Sequence, residues 1–439
     1  MRDRPPGPRG FPLVGNTMAV ASDPLTFMAR TQKTYGNLVY LKVRGLDVYM
    51  VSGEEEVSSV LIRDARSYTL DRLSRGLADA LGESLLVSDG PTWQARRRAI
   101  LPAFSRAHAA RYDHAMVDAC DSALGEWPEC GHVNLSAWTA GLSLRILLNT
   151  VMGLPNLADA DLIASNLDVL MRHALGIGGT GIRIPPEVPT PANQRAHRAM
   201  VELQHMLTPS LEALDSSSDY GLAALLRAHF SEESETESAR RMIDELLTTV
   251  LVGHETVALA LGYACWLLAK HEDVQEEVAR ELRRTVEAEE IGALCGDVAT
   301  PLLDAAIKES LRMFPPVWAM GREAIRPTML AGYKIEAGAQ VLVPVWVLHH
   351  REDWYPHPAS FRPQRWLNGD LAGVPAAGFM PFGLGTRRCI GERLALREIR
   401  LVLGAVVRRY ELLSLAPPDL MPSITLRTRR PIHLLVQRR

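Results

Sequence analysis

A chain of 439 residues with 47% hydrophobic and 23% charged residues has the composition of a soluble globular protein, long enough for two domains or one unusually large one. Its net charge of -3 gives no support for nucleic-acid binding, which needs a basic face. The cysteines (Cys120, Cys130, Cys265, Cys295, Cys389) are odd in number, widely spaced and without a CxxC pair. They suggest neither a disulfide framework nor a thiolate zinc site, and fit a reducing, cytoplasmic setting.

The proline-rich "RPPGPRGFP" (4–12) reads as an extended lead-in, and no apolar signal-peptide core accompanies it. Two β-type runs follow, 37–43 and 46–52, with Arg44-Gly45 between them as a hairpin signal. Helical periodicity dominates from about 90 to 312, interrupted by "GIGGTGIRIPPEVPTP" (176–191), which is too rich in Gly and Pro for an element interior. The run "SEESETES" (231–238) is expected as a polar loop, and a long helix from about 239 to 270 follows it. That helix contains the longest apolar stretch, but His254 and Glu255 near its centre are costly in lipid, which predicts a buried soluble helix. Beyond 312 prolines, aromatics and short strands such as "AQVLVPVWVL" (339–348) take over, and a last helix starts just after Gly391.

The stretch "FGLGTRRCIG" (382–391) holds a cysteine among glycines and beside two arginines. Cations and a following helix N-terminus favour the thiolate, which is the metal-binding form. Gly383, Gly385 and Gly391 let the backbone pass close to a flat, bulky group; Arg387 can pair with a carboxylate on it and Phe382 can pack on its face. The pattern Phe-x-x-Gly-x-Arg-x-Cys-x-Gly fixes five positions, and a chance match in such a chain is below about one in ten thousand.

Through Phe382, Gly385, Arg387, Cys389 and Gly391 the chain resembles the cytochromes P-450, whose haem-binding signature this is. The resemblance extends along nearly the whole sequence. "VGHETV" (252–257) matches the family's Gly-x-acid-Thr through Gly253, Glu255 and Thr256, with Val252 where Ala or Gly is usual. On a helix Thr249, Val252, Gly253 and Thr256 share a face, and an alcohol beside a carboxylate can relay the protons that dioxygen cleavage needs. "ESLR" matches the family's Glu-x-x-Arg, so Glu309, Arg312 and Arg365 are expected to form a buried structural network. Trp93, Arg97, Arg322 and Arg387 are the implied ligands of the haem propionates.

The resemblance implies a mostly α fold with a minor β portion, a long central helix over haem b and the cysteine loop beneath, in one haem domain over 1–439 of soluble bacterial type. Its parts are the lead-in 1–12, a mainly β-rich part 13–70, a helical part 90–320, and a closing part 321–439 with β segments, meander, haem-binding loop and C-terminal helix. Cys389 is the implied metal ligand. The implied activity is insertion of one oxygen atom from O2 into a hydrophobic small molecule such as a terpenoid, polyketide or fatty acid. Electrons then come from a ferredoxin or flavodoxin with its NAD(P)H reductase, and Arg96, Arg98, Arg388 and Arg393 are expected to steer that acidic partner. Thr249, Val252, Val317, Trp318, Met320 and Ile424 are the implied substrate wall, together with segments 72–88 and 172–190. Neither nucleic acid nor membrane is an expected partner. A peroxide-driven or oxidative-coupling haem-thiolate enzyme, and a non-catalytic haem sensor or carrier, are the alternatives.

Overall fold

The computed structural model describes residues 4–78, 82–152, 160–180, 184, 188–212, 221–286, 288–296 and 298–439. Its longer helices are α1 (Pro24–Tyr35), α2 (Gly90–Ile100), α3 (Asp113–Gly125), α4 (Leu135–Asn149), α5 (Ala160–Thr180), α6 (Pro191–Glu212), α7 (Leu222–His229), α8 (Glu235–Lys270), α9 (Glu272–Thr285), α10 (Pro301–Met313) and α11 (Glu392–Arg409). The chain is thus mostly α, as expected.

The hairpin appears where the sequence places it. Strands β1 (Leu38–Val43) and β2 (Leu46–Val51) pair antiparallel across Arg44 and Gly45, both at positive φ (51° and 75°), the geometry of a tight two-residue hairpin turn. With β3 (Tyr68–Leu70), β5 (Met320–Ala324) and β8 (Gln340–Val343) they form a five-stranded sheet of order β1-β2-β8-β5-β3. A second sheet joins β4 (Cys130–Asn134), β9 (Tyr410–Ser414) and the C-terminal β12 (His433–Arg438). Two hairpins, β6–β7 (Thr328–Leu330, Tyr333–Ile335) and β10–β11 (Leu420–Pro422, Leu426–Thr428), stand apart.

Four expectations need correction. The part 13–70 is less β-rich than expected, because Asp23 caps α1 through Thr26 N (3.1 Å) and Pro24 opens it without losing a hydrogen bond. The polar run 231–238 is not all loop. Ser234 accepts from Glu237 N (3.4 Å), and this cap starts α8 four residues before the expected 239. The strand expected over 339–348 stops at Val343, since Pro344 has no N–H for the sheet, and Val345–His349 turns helical. The break at 176–191 begins later, because α5 continues to Thr180 and α6 opens at Pro191; part of that stretch lies outside the described residues.

Helix α8 is the axis of the molecule. It packs on α4, α10 and α11, and its flanks (Leu246, Leu247, Val250, Leu251, Leu261, Ala264, Leu268) lie in the main apolar cluster. It is long and apolar enough to cross a membrane, yet 67% of its most apolar window is buried against the rest of the protein, as a core helix is.

Helix α11 carries one titratable oddity, Glu398, which is 4% exposed and whose Oε1 has no hydrogen-bond partner among the described residues. Burial pushes its carboxyl up to about 8, with nearby Ser143 acting the other way. The unfolded chain releases this proton near 4.5 while the fold keeps it up to about 8, so stability falls as pH rises through that window. Glu398→Gln, which does not titrate, is expected to match the wild type in melting temperature near pH 4.5 and to exceed it near pH 8. Parallel melting curves for the two proteins across that range would show that Glu398 is ionised in the fold.

Candidate active site

The cysteine loop is built by its backbone. Gly383 N donates to the Met380 carbonyl (3.0 Å) and Cys389 N to the Phe382 carbonyl (2.8 Å), closing a tight turn on which Gly383 and Gly385 adopt φ of 73° and 72°. A side chain at Gly385 would also collide with the Leu61 carbonyl oxygen, so only glycine fits. Gly391 caps α11, and the N–H groups of Gly391 and Glu392 point at the Cys389 sulfur. Phe382 packs against the main core.

Burial pushes the Cys389 thiol up; the two N–H donors and the Arg97 guanidinium act against that, and the Glu392 carboxylate adds to it. The sulfur is closely surrounded yet keeps accessible surface. A thiol in this position becomes a thiolate when a metal cation supplies the missing charge.

Three arginines gather beside it. Arg97 donates to the Arg388 carbonyl (2.9 Å), Arg387 to the Ser88 carbonyl (2.7 Å) and to Asp89, and Arg322 to the carbonyl of its neighbour Gly321 (2.7 Å). Trp93 lies under two of them, with the guanidinium carbons of Arg387 and Arg97 at 4.7 and 5.5 Å from its ring. Burial lowers all three arginines, and Arg387 is also destabilised by Arg97 and Arg322 by Arg387. Asp89 is the one carboxylate bonded to any of them among the described residues. A half-buried cationic cluster with so little acid to balance it, next to a cysteine backed by N–H donors, fits an iron porphyrin with two carboxylates.

On α8 the expected face is the open one. Thr249, Gly253 and Thr256 are half-buried and Val252 is 38% exposed, in a helix otherwise largely buried. Thr256 Oγ1 donates to the Val252 carbonyl (2.9 Å). The helix is unbroken at Gly253, whose missing side chain admits Leu147 of α4: a Cβ there would lie 2.9 Å from Leu147 Cδ2. Glu255 does not bond to Thr256. Its Oε1 accepts from Thr425 Oγ1 (2.9 Å) and from Arg427, both on the C-terminal side of the chain, and its buried Oε2 has no partner among the described residues.

The charged network behind the loop is complete. Glu309, Arg312 and Arg365 are 0%, 0% and 1% exposed. Glu309 accepts from Arg312 Nε and Nη2, Arg365 Nε and Trp366 Nε1, all at 2.9 Å, and from Arg362 N at 3.1 Å. The other guanidinium bonds go to the carbonyls of His349, Pro358, Pro356, Ser360 and His357.

Of the expected substrate wall, Val317 and Ile424 are half-buried, and Ile424 packs on the main core. Trp318 packs instead on the sheet-side cluster around Met28 and Val39, with Nε1 donating to the Ser423 carbonyl (2.7 Å). Met320 lies against Gly383 of the cysteine loop. Segments 72–88 and 172–190 fall partly outside the described residues. One expected steering residue is reassigned: Arg96 is 3% exposed and pairs with Glu245 (3.1 Å) and Glu83 (3.3 Å), because its position on α2 faces α8 and not solvent. Arg98, Arg388 and Arg393 are exposed.

The family model described as Cytochrome P450 matches residues 5–436. Among curated proteins the chain is 30% identical over 419 residues to a Streptomyces melanosporofaciens protein named cyclooctat-9-en-7-ol 5-monooxygenase, covering 92% of this chain and 88% of that one. It is also 30% identical over 430 residues to the cyclooctatin synthase of the same organism, covering 94% and 91%.

Proposed function

This chain belongs to the cytochrome P450 family and is a monooxygenase of it, and from that premise we propose that its substrate is a bulky, mostly apolar cyclic compound of terpenoid type. Two observations support the substrate class: the relatives' names, and the exposed apolar Val252 at the centre of the open α8 face. A haem-thiolate cofactor, proposed here as haem b, supplies dioxygen activation when bound.

The chain's own residues hold and serve it. Cys389 would hold the iron through its sulfur, with the Gly391 and Glu392 N–H groups tempering the charge on it. Arg97, Arg322 and Arg387 are the proposed partners of the two carboxylates, with Trp93 as the floor under Arg97 and Arg387. Thr256 holds a proton-bearing hydroxyl on the open face. Glu255, fixed through Oε1 by Thr425 and Arg427, is the proposed carboxylate of the proton route to Thr256. Val252, Val317 and Ile424 exclude water and orient the substrate. Electrons are proposed to come from a ferredoxin or flavodoxin with its reductase, docked near the exposed Arg98, Arg388 and Arg393.

Titrating terpenoid alcohols, linear fatty acids and polyketide lactones into the holoprotein, while following the Soret band, tests the substrate class. Terpenoids are expected to shift it at micromolar concentration; a shift by linear fatty acids alone would overturn the assignment. Thr256→Ala is expected to bind the same ligand with unchanged affinity while product per NAD(P)H falls about tenfold or more and hydrogen peroxide is released, since a positioned proton donor contributes roughly 10²–10⁴-fold. Unchanged coupling would remove Thr256 from the proton route.

A further inference from the structure

His349 is fully buried at the end of the short helix that follows Pro344, and the function above makes no use of it. Its ring spans two parts of the molecule. Nδ1–H donates to the Arg312 carbonyl (3.2 Å), and Nε2 accepts from the N–H of Met380 (2.9 Å). The His349 carbonyl in turn accepts from Arg312 Nη1 (2.9 Å), so Arg312 and His349 clasp each other in both directions. The ring stacks on Phe379, with centroids 5.7 Å apart. Met380 is where the cysteine loop begins: its carbonyl takes the Gly383 N–H that opens the turn closed by Cys389 N.

One imidazole therefore joins the Glu309–Arg312–Arg365 network to the loop that carries the cysteine. Among the described residues, this is the one link from that network to a backbone group inside that loop's turn. The geometry also dictates the tautomer. A proton on Nδ1 serves the Arg312 carbonyl and leaves Nε2 a lone pair for Met380; a second proton on Nε2 would face an N–H donor and break the link. Burial, with His350 and Arg312 nearby, keeps the ring neutral, lowering it to about 3.

We propose that His349 is a positioning residue for the thiolate ligand, transmitting the rigidity of the buried Glu–Arg–Arg network to the cysteine loop through the Met380 amide. The inference rests on Cys389 being the haem ligand. A shared neutral imidazole is well suited to this task, because both of its bonds are buried and neither can be replaced by water without opening the core.

The test compares wild type, His349→Leu and His349→Gln as holoproteins by amide hydrogen exchange and by the spectrum of the reduced carbon monoxide complex. Leu keeps an apolar side chain of similar size but accepts no hydrogen bond, whereas Gln can still accept from Met380 N–H. In His349→Leu the Met380 amide is expected to exchange at least about tenfold faster while amides within α8 and α11 hold their wild-type rates, and the thiolate band is expected to decay on storage. His349→Gln is expected to restore most of both, and it carries the test should the Leu variant fail to load haem. Wild-type protection of Met380 in the Leu variant, or faster exchange spread evenly over α8 and α11, would overturn the proposal. So would a Gln variant with no more protection at Met380 than unlinked backbone. A wild type lacking the thiolate band would instead sink the ligand assignment, and the exchange rates would still report the link.

Discussion

Cys389→Ser is expected to fold, to keep its loop, and to lose product formation by far more than the ~100-fold that removal of a supporting partner typically costs a metal site. The fold survives because the loop is set by glycine dihedrals and by backbone bonds such as Cys389 N to the Phe382 carbonyl, none of which uses the sulfur. The N–H groups of Gly391 and Glu392 would meet a hydroxyl oxygen in place of sulfur. Activity does not survive, because a serine hydroxyl stays protonated at neutral pH and cannot donate electron density as a thiolate does. Melting temperature, haem content and turnover, measured on one preparation, separate these effects. A Ser variant that retained a tenth of the activity would contradict the role given to Cys389.

Glu309→Gln is expected to be the most damaging change outside the loop. The carboxylate accepts five hydrogen bonds and is the counter-charge for two fully buried guanidinium groups. Breaking such a network by neutralising one partner costs about 3–5 kcal/mol, because the stranded charges remain in the core. Against a typical total stability of roughly 5–15 kcal/mol, that threatens the native state itself. The variant is predicted to accumulate with little haem and a strongly lowered melting temperature. Arg312→Lys should fare little better, since an ammonium cannot reach Glu309 and the carbonyls of His349 and Pro358 together. A Glu309→Gln protein that melts within a degree or two of the wild type would show that the network is incidental to stability.

What could be read beforehand was local. The hairpin at Arg44-Gly45 announces itself by alternation and turn chemistry, α11 by the glycine before it, and the cysteine loop by five fixed positions in ten. The Glu309–Arg312 pair is one helical turn apart, so sequence spacing places it. What escaped depends on partners far along the chain. Arg427 lies 172 residues from Glu255, and nothing in "RTRR" separates it from its neighbours. Arg96 stands in a run of three arginines, and only its place opposite Glu245 in the folded chain decides that it, and not Arg98, turns inward. His349 is hidden in the same way, as the first of two adjacent histidines just past the strand expected over 339–348, which Pro344 ends early.

The most direct test of the whole account is the absorption spectrum of the dithionite-reduced holoprotein under carbon monoxide. A strongly red-shifted Soret band, absent in Cys389→Ser, is the predicted result, because thiolate ligation of the haem would produce it. A Soret band at the position of histidine-ligated or thiol-ligated haem in freshly prepared, fully folded protein would contradict the assignment of Cys389 and, with it, the chemical basis of the proposed reaction.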